Sequence, residues 1–141
     1  HPIPRRQRQM CIRDSYLGGG FGHFYAYAPK KYEYPINRYA MEVKRQLDLL
    51  DKNLGEREYI CGKEYNIADI AIHSWYGTLV LNNAYNSSEF LEVDSYKNVV
   101  RWAKQITERP AFKRGSLVNR KPNGPDDNAI LERHDASDIK I

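Results

Sequence analysis

Apolar residues recur at steps of three and four from Ile36 through Tyr39, Ala40, Val43, Leu47, Leu50 and Leu54. Glu42, Lys44, Arg45, Asp48, Asp51 and Lys52 occupy most of the other positions. This period predicts a long amphipathic helix over roughly Lys30–Leu54. Pro35 allows two readings: the regular helix starts there with proline in its first turn, or an earlier helix bends there. A second pattern starts at Asn66. Its side-chain oxygen suits a helix N-cap, and Asp69, three residues on, can reach back to the Asn66 amide. Tyr65 and Ile70 have the spacing of a hydrophobic staple. Ile67, Ile70, Ala71, Ser74 and Thr78 then follow at helical spacing, which predicts a helix over Ile67–Leu81 with that face in the core. It is expected to be the central, most buried helix.

A third helix is expected over Ser95–Glu108, capped by Asp94. Tyr96, Val99, Val100, Ala103 and Ile106 form its buried stripe, with Trp102 near the edge. Arg109-Pro110 closes it and opens a short helix anchored by Phe112 and Leu117, ending between Gly115 and Asn119. Gly55–Tyr65 reads as a loop that Tyr59 and Ile60 plug onto the core, with Gly62 in a turn. Asn82–Ser88 reads as a polar break. No segment alternates convincingly as a strand, so the class is all-α with about five helices.

Two segments lie outside this pattern. Residues 1–15 have no period and carry clustered arginines, glutamines and two prolines. They read as a disordered or non-native arm, and Arg5 to Ser15 resembles translated sequencing-adapter or assembly-junction sequence. Residues 120–141, rich in turn formers, read as a tail packed on the domain. The helical domain is accordingly expected over 16–119.

Length then fits one domain. Of 22 basic and 18 acidic residues, four arginines and one aspartate fall in 1–15, leaving 18 against 17 in the rest. The balanced body argues against a nucleic-acid face. No apolar run reaches membrane-span length and none resembles a signal peptide, so a cytoplasmic protein without a membrane partner is expected. Cys11 and Cys61 form neither a ligand cluster nor a disulfide framework, consistent with a reducing compartment. His134, Asp135 and Asp138 are too few donors to indicate a metal, and none is expected.

Candidate chemistry is sparse. Tyr16-Leu17-Gly18-Gly19-Gly20-Phe21-Gly22-His23-Phe24 is not a phosphate loop, because no Lys-Ser/Thr follows it. It reads as a turn feeding an aromatic segment, in which Phe21, Phe24, Tyr25 and Tyr27 pack and His23 is a packing histidine. Trp75 and Tyr76 read as core. Arg38, near the start of the long helix, is either a solvated arginine or an anion-binding one.

Tyr59-Ile60-Cys61-Gly62 followed by Asn66-Ile67-Ala68-Asp69 resembles the capping box of glutathione transferase C-terminal domains. Arg109-Pro110-Ala111 is another habit of that superfamily. Leu17-Gly18-Gly19-Gly20-Phe21-Gly22-His23-Phe24-Tyr25, Ile36-Asn37-Arg38-Tyr39, Arg101-Trp102-Ala103-Lys104 and Glu132-Arg133-His134-Asp135-Ala136-Ser137-Asp138 together resemble the bacterial Nu-class enzymes. These are also described as glutathione-dependent disulfide-bond reductases. The resemblance covers Tyr16 to Ile139.

It implies a helical domain that follows a thioredoxin-like domain, lines the second-substrate pocket and forms most of a homodimer interface. The thioredoxin-like domain carries most of the glutathione site and the group that assists the thiol. Two glutathione molecules, or glutathione disulfide, occupy each site. An arginine matching Arg38 helps bind the second across the dimer, as a guanidinium grips a carboxylate. The sequence departs from the pattern at Cys11-Ile12-Arg13-Asp14, at His73-Ser74 where the family has Trp-Pro, and at Asn66 where it has Thr or Ser. Without the thioredoxin-like domain, this chain is expected to be catalytically silent alone. A non-catalytic helical interaction module is the alternative.

Overall fold

The computed structural model describes residues 14–116; the 120–141 tail, Cys11, Leu117, His134, Asp135 and Asp138 lie outside them. The described residues are helical, and their one isolated β-bridge pairs Tyr59 with Gly62. In order come α1 (Asp14–Tyr27), α2 (Glu33–Gly55), α3 (Ile67–Ile72), α4 (Thr78–Val80), α5 (Ser88–Leu91), α6 (Lys97–Thr107) and α7 (Pro110–Gly115). Two compact units divide after Ala103.

The glycine-rich stretch, expected as a turn, is wound instead as the π-helix α1. Its close is an i→i+5 bond from the Ala28 amide to the His23 carbonyl, 2.7 Å. Phe21 stacks on Tyr25 at 4.9 Å, and Phe24 stacks on Tyr39 of α2 at 5.7 Å. Gly22 is required for this packing, because a Cβ there would stand 2.5 Å from the ring of Tyr85. His23 is exposed, with its ring edge-on to Phe24.

α2 follows its predicted period, burying Ala40, Val43, Leu47 and Leu54. Pro35 lies in its first turn, where its missing amide costs least. Beyond α2, Tyr59 is buried and Gly62 takes φ 139°, as the loop reading required.

The start of α6 differs from expectation. Val93–Ser95 is a 3₁₀ turn, and the helix begins only at Lys97. Asp51 of α2, rather than Asp94, receives the free amides of Asn98 (2.8 Å) and Val99 (3.1 Å). A carboxylate at that end also suits the helix dipole. Reciprocally, Arg101 donates to the carbonyls of Leu54 (3.0 Å) and Arg57 (3.2 Å) at the close of α2. Each helix thus satisfies orphan groups of the other. Trp102 is fully buried, not at the stripe's edge. In the second unit, Pro110 occupies the first turn of α7 and Phe112 is half-buried.

Candidate functional site

α3 opens as its sequence predicts. Asn66 Oδ1 accepts the Ala68 amide at 2.9 Å, and Asp69 Oδ2 accepts the Asn66 amide at 3.0 Å. The other carboxylate oxygen does more. Asp69 Oδ1 accepts the Ile60 amide at 3.0 Å and the Trp102 indole N–H at 2.8 Å. One buried side chain thereby ties the helix start to the preceding loop and to α6.

This network reverses the predicted face. Ile67 and Ile70 are 80% and 52% exposed, and Ser74 is also exposed. The buried face is Asp69, His73, Tyr76 and Val80. Its polar groups find donors and acceptors on other elements, which makes their burial tolerable. Ile70 points outward, and the Tyr65 ring meets Tyr59 edge-on at 5.7 Å.

His73–Gly77 is a π-helical turn linking α3 to α4. Such an insertion re-aims the side chains around it. The His73 ring is buried, with Nε2 3.3 Å from the Ala103 carbonyl and its plane edge-on to Trp102 at 5.6 Å. Burial lowers its pKa from the ordinary 6.5. The charged group sharing its face is Asp69, one turn earlier. Since the unfolded state binds the proton more readily, stability is full above that ordinary value. It falls as pH drops toward the folded value and levels off below. Denaturant midpoints measured from about pH 7.5 to 5.5 are expected to show this slope, and His73→Gln to flatten it. Parallel profiles would remove His73 as its source.

On α2 a polar chain leads outward. The Tyr76 hydroxyl donates to Gln46 Oε1, and Gln46 Nε2 donates to Glu42 Oε1 at 2.9 Å. Arg45 donates to the same carboxylate through Nε at 3.1 Å and Nη2 at 2.6 Å. These donors, Arg45 foremost, hold the Glu42 pKa down to about 2. Arg38 lies one turn before Glu42. It is exposed and makes no hydrogen bond or ion pair with another described residue, although its charge is felt at Glu42. This exposed place is compatible with both sequence readings of Arg38, solvated and anion-binding.

The sequence missed Asp51, Arg101 and the Tyr76–Gln46–Glu42–Arg45 chain, because each joins residues far apart or reads as ordinary surface charge. Among the described residues no group of three metal-type side chains gathers, and no helix is long and apolar enough to cross a membrane. Cys61 is an exposed free thiol.

Residues 21–110 match the family model described as glutathione S-transferase, C-terminal domain. The chain is 58% identical over 125 residues to the disulfide-bond oxidoreductase YghU of Escherichia coli K12, covering 89% of this chain and 43% of that protein. A solved structure of glutathione transferase YghU from Streptococcus pneumoniae, complexed with glutathione, superposes with a TM-score of 0.75 at 52% identity. That match covers 86% of this chain and 49% of the other. A glutathione transferase from Pseudomonas putida, with one glutathione disulfide bound per subunit, gives 0.60 at 35% identity over 82% and 53% of the chains. The chain thus spans about half or less of the length of these relatives.

Proposed function

The chain belongs to the glutathione S-transferase family through that family's C-terminal domain, and from this we propose that it is the helical part of a glutathione-dependent transferase or disulfide reductase. In this reading residues 16–119 form one helical domain, 1–15 a non-native or disordered arm and 120–141 a tail packed on it. The helical part lines the second-substrate pocket. A thioredoxin-like part activates the thiol, whose thiolate then attacks a disulfide. The substrate is glutathione or its disulfide, held in part by Arg38, without a metal and in the cytoplasm.

The observation that carries the reading is the outer face of the helical stretch formed by α3, the π-helical turn and α4. From Ile67 to Val80 the chain holds one acidic and no basic residue, and that residue, Asp69, is buried. Ile67, Ile70 and Ser74 therefore present an uncharged face to water. Apolar side chains exposed together on an uncharged face are a mark of an interaction surface. Cover from the thioredoxin-like part gives that face a reason. For a homodimer, Tyr34 and Leu49 supply exposed apolar contacts on the Arg38 side of α2.

The test joins this chain to the thioredoxin-like half of the Escherichia coli relative and measures glutathione-dependent reduction of a small disulfide. The joined protein is expected to turn over and to sediment as a dimer. The 141-residue chain alone is expected to fall short by a factor on the order of a thousand or more, since in this reading the thioredoxin-like half carries the group that activates sulfur. Equal rates from the isolated chain would refute the division of labour. An inert joined protein would favour the interaction module.

A further inference from the structure

Asn82, Tyr85 and Asn86 lie in the connection between α4 and α5, and all three have positive φ, at 57°, 60° and 49°. Asparagine tolerates that region, because its short polar side chain bonds locally. Here Asn82 Nδ2 donates to Asn86 Oδ1 at 3.2 Å. A tyrosine side chain is too long for that device. A bulky aromatic residue with left-handed backbone is an outlier that persists only where its surroundings hold it.

The ring of Tyr85 is what is held. A Cβ on Gly22 would stand 2.5 Å from its Cζ and 2.7 Å from its hydroxyl oxygen, so the ring seats in a notch that only glycine leaves open. Phe21 meets the ring edge-on at 6.2 Å and Tyr27 does so at 5.8 Å, an arrangement aromatic pairs favour.

Two residues on, Ser87 carries a second cost. It is fully buried, and its Oγ has no hydrogen-bond partner. It stands at the N-cap of α5, yet its side chain caps nothing. A capping serine has extended backbone and bonds the second or third amide of its helix. Ser87 has φ −115° and ψ 10°, which is not that conformation.

We propose that residues 82–87 form a strained latch with two positions. Closed, the ring of Tyr85 seats on Gly22 and covers the glycine face of α1. Open, Tyr85 leaves the left-handed region and Ser87 turns extended, so that its hydroxyl reaches water or the free amides at the start of α5. One movement relieves both costs, and the loss of ring packing on α1 opposes it. Opening bares Gly22 and the edge of Phe21, so the latch decides whether that part of α1 is covered. The latch depends on neither Arg38 nor the transferase reading.

The test is ¹⁵N relaxation dispersion on the 141-residue chain, which reads exchange on the microsecond-to-millisecond scale. The Gly22 amide senses the Tyr85 ring, and the Ser87 amide senses the hinge. Both are expected to disperse at one common rate, with an open population on the order of 1%. The open-state shift of Gly22 is expected to match the Gly22 shift in Tyr85→Gly, where no ring covers it. Ser87→Ala removes the hydroxyl that only the open position satisfies, so it is expected to lower the open population by about tenfold. Flat profiles at both amides overturn the proposal. An unchanged open population in Ser87→Ala overturns it as well, since a merely structural serine would alter overall stability without moving this local equilibrium. Dispersion that extends evenly to Val43 and Leu47 inside α2 means opening of the whole domain, and that too sinks the latch. Should Tyr85→Gly fail to fold, Tyr85→Asn removes the ring while tolerating the left-handed backbone, and its Gly22 shift is the reference instead.

Discussion

Replacing Asp69 by alanine is expected to cost about 3 to 5 kcal/mol of folding stability, the range for removing one partner from a buried charged network. The side chain is fully buried and accepts three hydrogen bonds, from the amides of Ile60 and Asn66 and from the indole of Trp102. Alanine leaves those donors facing apolar surroundings, at about 1 to 3 kcal/mol for each one that stays dry. Asn66→Ala removes a single end-of-helix bond and is expected to cost only about 1 kcal/mol. The contrast discriminates between a mere capping residue and a junction. Trp102→Phe deletes the indole donor and leaves the rest, so it is expected to be milder than Asp69→Ala and strongly non-additive with it. Urea unfolding of the parent, the three single variants and the Asp69→Ala/Trp102→Phe double is the check. A loss at Asp69 no larger than at Asn66 would reduce the network to an ordinary cap.

The same residue shows how far the sequence could be read. Asn66 and Asp69 were legible because a capping box is local: three residues of spacing contain all its geometry. The long period of α2 was legible for a similar reason, since one face of one helix repeats within the chain. The orientation of α3 was not. Ile67 and Ile70 look like core because apolar residues at helical spacing usually are. Polar side chains such as those of Asp69 and His73 are ordinarily exposed. Both inferences fail where buried polar atoms meet partners from remote elements: Trp102 is 33 residues from Asp69, and Ala103 is 30 from His73. Periodicity holds no information about such partners. The trans-cap from Asp51 escaped for that reason too, being 47 residues from Asn98. Arg38 was legible as a candidate from its place near the start of α2, and the resemblance gave it a role, whereas its exposure is a fact of the fold.

Gly77→Ala is expected to destabilise by about 2 to 3 kcal/mol, as forcing a methyl into a filled site does. On helix propensity alone the change should help by about 1 kcal/mol. Packing decides the sign. A Cβ on Gly77 would stand 2.7 Å from both Cγ and Nε2 of His73, and closer still to Cδ2. The imidazole has little room to yield, since its Nε2 faces the Ala103 carbonyl and its edge meets Trp102. Glycine here is the space into which a buried histidine fits, inside the π-helical turn that carries both. His73→Ala is expected to destabilise by itself, because it empties part of the core. Combined with Gly77→Ala, the two are expected to cost less than the sum of the singles, with a coupling of about 1 to 3 kcal/mol. Thermal unfolding of the parent, both single variants and the double closes the cycle. Additive losses would mean that Gly77 is needed for backbone freedom rather than for the ring beside it. The helical turn would then have to be explained without His73.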